Sequence, residues 1–222
     1  MTRRYLINAI DDSRDFYTTS IRQKFSDWVE IPCEAVNGYN IEELDLNIKK
    51  HNIPIHIRNM PVGELGVWMS NLNAWNLVGD EPLFVVEDDA VVYDNFYHRF
   101  EELVNELPSG WDFLSLYVPH DEAGYGIFKK IDPASVDIGS SLVCKVYQTY
   151  GGQSVFYSPT GAKKIYSLAI ENGIDMQFDE FLYHQAKLGK LNGYTTYPTI
   201  PDLIHIDGKA ESLAHSEIRY YK

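Results

Sequence analysis

Glu87, Asp88 and Asp89 form an unbroken acidic triplet at the end of an apolar, β-branched run, Pro82 to Val86, and Ala90 to Val92 is apolar again. A buried strand ordinarily excludes charge, because an unpaired buried carboxylate costs several kcal/mol. Side chains alternate along a strand, so Glu87 and Asp89 are expected on one side and Asp88 on the other. Carboxylates at the C-terminal end of a strand in an α/β sheet suit a divalent cation and a phosphorylated ligand. The competing reading is a strand that simply runs out into an acidic surface turn.

The elements around the triplet predict how it is held. Tyr5 to Ile10 reads as a first strand, closed by Asp11-Asp12-Ser13. A helix follows from about Arg14 to Phe25, and Glu30 to Val36 reads as a second strand ending at Asn37-Gly38. Strand, helix, strand in that span is a βα unit and predicts a parallel sheet. Ile41 to Ile48 reads as a short helix and Ile53 to Met60 as extended chain. Val67 to Val78 has the spacing of an amphipathic helix that feeds the Leu83–Val86 strand. Helices are also predicted over Phe96 to Leu107, Thr160 to Ile170 and Phe178 to Lys187. Strands are predicted over Trp111 to Val118, Leu142 to Tyr150, Ser154 to Ser158 and Tyr194 to Ile200. Pro119 to Gly139 reads as a long loop, a class that often carries function. Trp68, Trp75 and Trp111 are expected in the core, with Tyr117 and Tyr125 as stacking candidates.

At 222 residues, 45% of them hydrophobic, the chain is expected to form one domain with a substantial core. A net charge of −13 argues against capture of nucleic acid by a basic field. The two cysteines, Cys33 and Cys144, have no metal-type spacing, and a reduced, cytoplasmic setting is the simpler reading. The N-terminal apolar run is too short for a secretory leader, and no window approaches a membrane span, so a soluble protein is expected.

Taken in order, these segments resemble glycosyltransferase family 25, the lipooligosaccharide-type enzymes that include collagen galactosyltransferases. Tyr5-Leu-Ile-Asn followed by Ser13-Arg14 is similar to the family's opening strand. Ala35-Val-Asn37-Gly38 resembles the closure of its second strand. Gly63-Glu-Leu-Gly66 with Ser70, Asn71 and Trp75 resembles its next helix, and Leu83 to Asp89 resembles its strand with Glu-Asp-Asp. Leu107 to Asp112 and Ser158 to Lys164 continue the pattern. Val67 and Asn71 stand where the family has Cys and His, and residues 119–139 match poorly.

The resemblance implies an α/β fold of GT-A type: a Rossmann-like mixed, mostly parallel sheet flanked by helices. A donor-binding part would span about 1–118 and an acceptor side about 119–222. It implies an inverting hexosyltransferase using a nucleotide sugar, expected to be UDP-linked, with Mn²⁺ or Mg²⁺. Asp89 is the first candidate for direct metal contact. Glu87 would act directly or through a metal-bound water, and His205 is the late-chain histidine best placed to join them. Asp88 is assigned to ribose or a backbone amide. Tyr5, Asn8 and Arg14, at the first βα turn, are expected near the nucleotide. Asn37 and Gly38 are candidates for the uracil or ribose, and Asn71 for the donor, where it can hydrogen-bond but not carry charge.

For the base that deprotonates the acceptor hydroxyl, Asp179 competes with Asp175 and Glu180, and helix capping competes with catalysis for Asp179. Lys163 and Lys164 are weighed between a diphosphate contact and a solvated helix face.

The expected acceptor is a lipooligosaccharide glycan, reached at a membrane surface without a transmembrane segment. Alternatives are a hydroxylated DNA base, so that nucleic acid enters only as an acceptor, and a protein hydroxyl. From other classes, a metal-dependent phosphodiesterase would want further ligands that the sequence lacks, and a non-catalytic sugar-nucleotide or glycan-binding module would not need the acidic triplet.

Overall fold

The computed structural model describes residues 3–10, 15–57, 60–88, 90–94, 96–116, 136–137, 143–146, 152, 154–196 and 204–206. The strands are β1 (Arg4–Asn8), β2 (Val29–Glu30), β3 (Leu83–Glu87), β4 (Ala90–Val92), β5 (Phe113–Ser115), β6 (Val136–Asp137), β7 (Val143–Val146), β8 (Ser154–Tyr157), β9 (Gly193–Thr196) and β10 (Ile204–Ile206). The helices are α1 (Asp15–Lys24), α2 (Ile41–His51), α3 (Val62–Leu77), α4 (Phe96–Glu106), α5 (Pro159–Asn172) and α6 (Phe178–Lys187).

Eight strands make one sheet in the order β2-β1-β3-β8-β5-β9-β7-β6. β1 pairs in parallel with β2 and β3, and β5 with β9. β8 runs against both β3 and β5, and β7 against β9 and β6. All but β7 and β8 therefore point one way, and the protein has the mixed, mostly parallel α/β sheet flanked by helices that the sequence predicts.

Alternation along the strands divides the interior in two. Leu6, Leu83, Val85, Val155, Tyr157 and Phe113 face a core shared with α2, α3, α5 and α6. Tyr5, Ile7, Phe84, Val86, Phe156 and Leu114 face a second core with α1 and α4, built around the ring cluster Phe25, Trp28, Phe96 and Phe100.

Several elements differ from the expectation. β2 is two residues long rather than seven. Pro32 offers no ladder N–H, although Ile31 N and Ala35 N still donate to Tyr5 O (2.7 Å) and Ala9 O (3.3 Å). α3 starts five residues before the predicted Val67 and is buried on nearly every side rather than amphipathic, because α2, α5 and α6 all pack on it. Its first turn lies so close to the 37–38 turn that a methyl group on Gly38 would collide with the Val62 carbonyl, and one on Gly66 would press on Val36 O (2.7 Å). β6 lies inside the stretch predicted as loop. A second sheet, antiparallel β4 with β10, joins Ala90–Val92, just past the triplet, to Ile204–Ile206, where no strand is predicted. Among the described residues, no helix is long and apolar enough to cross a membrane.

Candidate functional site

β1 and β3 are adjacent and parallel, and their register places Asn8 directly beside Glu87 at the two C-terminal ends. Leu6 and Val85, two residues earlier, face the core that holds α3 and α6. By alternation Asn8 and Glu87 face the same way. Asn8 is half-buried, and its Oδ1 is fully buried with no hydrogen-bond partner among the described residues. Nearly all such atoms in folded proteins find a partner, so this oxygen, beside a carboxylate at the strand edge, makes the edge a candidate site.

α6 begins at this same edge. Gly152 lies two residues before Ser154, which pairs with Val86, and a side chain on Gly152 would collide with the Phe178 ring at the first residue of α6. One helical turn into α6, Tyr183 donates its hydroxyl to Ser115 Oγ (3.1 Å) at the end of β5. From the other side, the buried Trp68 of α3 donates its indole N–H to Met176 O (2.9 Å) and packs edge-on against Phe181, centroids 5.1 Å apart. These contacts bring the first turns of α3 and α6 together over the C-terminal ends of β1, β3 and β5.

Three carboxylates meet there. Glu64, in the first turn of α3, is held above its ordinary range by burial, then by the charges of Asp179 and Glu180. Asp179 Oδ1 accepts the Glu180 N–H (2.8 Å), which orients it within the first turn of α6, where the helix dipole favours an anion. Asp175 is exposed in the approach to α6. Sequence reasoning missed Glu64. It stands in the Gly63–Gly66 motif, which reads as a glycine-flanked lead-in until the helix is seen to start at Val62.

The other predicted residues divide. The described part of the triplet, Glu87 and Asp88, is half-buried. Asp89 and Arg14 lie outside the described residues, as do Tyr117 and Tyr125. The backbone of His205 pairs with Val91, and Ile206 with Ala90, so β10 brings the late-chain histidine to within two residues of the triplet in register. Among the described residues no three His, Cys, Asp or Glu are grouped to hold a metal ion; Asp89 and the His205 side chain are outside that set.

Asn37 Oδ1 accepts the Tyr39 N–H (2.9 Å) and closes its own turn, and buried Gly38 is required by the contact with α3. Asn71 is buried in α3 and donates Nδ2 back to Val67 O (3.0 Å).

Tyr5 is placed in the core. It is 3% exposed at the start of β1, stacks on Phe25 (4.9 Å), and donates to Glu30 Oε2 (3.0 Å). Lys164 pairs with buried Asp112 (2.8 Å) ahead of β5, at the opposite end of the strands from Glu87, and Lys163 reaches Asp80 (3.4 Å). Neither lysine is at the site.

No family model matches the chain. It is similar to procollagen galactosyltransferase 1 of Danio rerio, 32% identical over 88 residues, covering 36% of this chain and 15% of that protein. It is also similar to procollagen lysyl hydroxylase and glycosyltransferase of Acanthamoeba polyphaga mimivirus, 30% identical over 135 residues, covering 53% of this chain and 15% of that protein. The chain thus spans about 15% of the length of both curated relatives. Among solved structures, mouse xyloside xylosyltransferase 1 aligns with a TM-score of 0.37 at 10% identity, over 92% of this chain and 70% of that one.

Proposed function

We propose that the chain is a glycosyltransferase that binds a nucleotide-sugar donor at the C-terminal edge of β1 and β3. The observation that carries this reading is the pairing of Asn8 with Glu87, an unpartnered buried amide oxygen beside a carboxylate. Topology supports it, because ligands of open α/β sheets gather at the carboxyl ends of strands. The similarity to two proteins named as glycosyltransferases supports the chemistry.

A hard divalent cation would suit the oxygen donors proposed for this edge. Carboxylate and amide oxygens are the donors that Mg²⁺ and Mn²⁺ prefer, and Glu87 with Asp89 would hold the ion, His205 joining them from β10. When bound, such an ion neutralises the charge that develops on a diphosphate leaving group. Asn8 orients the donor by offering the orphaned oxygen to an N–H or hydroxyl. Asp88, one residue past β3, is assigned to the ribose or a backbone amide. The donor is proposed to be UDP-linked.

The acceptor proton goes to a carboxylate at the α3–α6 junction, with Asp179 first, Glu180 beside it and Asp175 at the rim. Asp179 is already oriented by the helix N-terminus. Glu64, in the first turn of α3, is pushed toward its protonated form by burial and by the charges of Asp179 and Glu180. A base on the acceptor side, away from the diphosphate, gives inversion in one displacement.

The names of the two curated relatives favour a protein hydroxyl as acceptor over a lipooligosaccharide glycan. The test is product formation: the protein with UDP-galactose or UDP-glucose and Mn²⁺, offered a hydroxylysyl peptide or a lipooligosaccharide core, followed by mass spectrometry. A hexose added to either acceptor, and lost in Asp179→Asn, is expected. UDP-sugars left intact with every acceptor and metal would overturn the proposal.

A further inference from the structure

A cleft of about 300 Å³ opens beside α4, at the N-terminal ends of the strands. It is remote from the edge that carries Glu87, because Arg3 and Pro82, which line it, precede β1 and β3. Trp28, Pro82 and Phe156 give it an apolar wall on the sheet side, and α4 supplies Phe100 and Val104 from the other. Glu101 and Asn105 stand one turn apart on the same face of α4, so the helix carries a polar rim next to its apolar patch.

Arg3 Nη2 pairs with Glu101 Oε1 at 2.6 Å and joins the strand side of the cleft to the helix side. Both side chains are a little under half exposed, at 45% and 44%. A guanidinium has five N–H donors and a carboxylate two oxygens, so this one contact leaves most of the capacity of both groups for another partner. An exposed pair is also weak, and opening it costs little. A ligand that brings one carboxylate and one ammonium replaces one ion pair with two and leaves neither protein charge unmatched. A net anion would meet Glu101 as a like charge, and a net cation would meet Arg3. A neutral apolar ligand would cover both charges and return nothing to either.

We infer that this cleft is a second ligand site, for a free α-amino acid with an apolar side chain. The ligand carboxylate takes the Arg3 guanidinium. Its ammonium takes Glu101, with the Asn105 amide oxygen beside it. The side chain lies against Pro82, Phe100, Val104 and Phe156. The cleft is at the low end for small-molecule pockets and suits a molecule the size of leucine or phenylalanine. The polar contacts all come from the rim, where Arg3 and Asn105 are exposed and Glu101 is half-exposed.

This inference does not depend on the proposed transferase reaction, since the cleft shares no residue with that edge. Calorimetry and saturation-transfer NMR with L-leucine and L-phenylalanine test it on the whole chain. Saturable binding is expected in the parent and in Glu87→Gln alike. N-acetylleucine lacks the ammonium and leucinamide lacks the carboxylate, and each is expected to bind about tenfold or more weakly than leucine. Glu101→Gln keeps the shape of the rim and removes its negative charge. It is expected to weaken leucine about five- to tenfold while melting near the parent, because the pair it breaks is exposed. That loss should disappear for N-acetylleucine, which has no ammonium to lose. Failure of both amino acids to bind, N-acetylleucine or leucinamide bound as tightly as leucine, or leucine affinity untouched by Glu101→Gln would overturn the inference. So would an equal Glu101→Gln loss for leucine and N-acetylleucine.

Discussion

Trp68 is the tie between the two helices whose first turns carry Glu64, Asp179 and Glu180, and replacing it with Phe tests whether that tie matters. The substitution removes the hydrogen bond to Met176 O (2.9 Å), worth about 1 kcal/mol net, and leaves a half-buried carbonyl to find another donor. It also deletes part of a fully buried ring that packs against Trp75, Phe178 and Phe181. Together these give a loss of about 2–4 kcal/mol, since a partial truncation costs less than the removal of a whole buried aromatic. For a chain of this size that is a fall in Tm of roughly 4–16 °C. Scanning calorimetry checks the stability. Initial rates against donor and acceptor separately check the positioning. The expected pattern is a higher KM for acceptor with donor affinity nearly unchanged, because Asn8 and Glu87 are set by strand pairing and not by Trp68. A fall of less than about 2 °C, or a loss of donor affinity equal to the loss for acceptor, would refute the claim that Trp68 positions α6.

Three further outcomes are expected. Asp112 is 3% exposed and accepts from Lys164 Nζ and from Asn192 N (2.7 Å), so Asp112→Ala should cost about 3 kcal/mol in denaturant unfolding while leaving nucleotide affinity unchanged. Buried His51 lies between Tyr166 Oη (3.1 Å) and Asn73 Oδ1 (3.0 Å), and burial, with Lys50 nearby, holds its pKa below 6.5. The unfolded chain therefore binds the proton first, and stability should fall as pH drops below about 6.5, a slope that His51→Gln should flatten in thermal melts. Glu64 is shifted the other way: its folded pKa is raised above 4.5, so its contribution is fully present below that value and is lost as pH rises through the folded pKa. Glu64→Gln should then raise Tm at pH 7 and give no gain at pH 4, which melting across that range will show.

Much of the frame was legible because it rests on local pattern. The apolar runs Leu6–Ile7 and Leu83–Val86 read as buried strands, and the helix predicted from Thr160 forms as α5, one residue longer at its start and capped by Ser158, which accepts the Gly161 N–H (2.9 Å). Elements defined by partners were less legible. α3 is buried from several directions, so its amphipathic stripe misleads and its true start at Val62 is decided by the turn at Gly38. β4 and β10 are three residues each and far apart in the chain, and neither has a pattern of its own. The same division runs through the site. Glu87 announces itself as charge in an apolar strand, whereas Glu64 becomes a site residue only when α6 is folded against it. Tyr5 illustrates the converse, since its phenol is turned by strand alternation into the ring cluster around Phe25.

The central claim is that the edge formed by Asn8 and Glu87 holds a nucleotide diphosphate through a divalent cation. Calorimetric titration of UDP into the parent protein and into Glu87→Gln, each with Mn²⁺ and with EDTA, tests it most directly. Binding in the parent only with Mn²⁺, weakened about tenfold or more in Glu87→Gln, is the predicted result. UDP bound equally well in EDTA, or with unchanged affinity by Glu87→Gln in Mn²⁺, would contradict it.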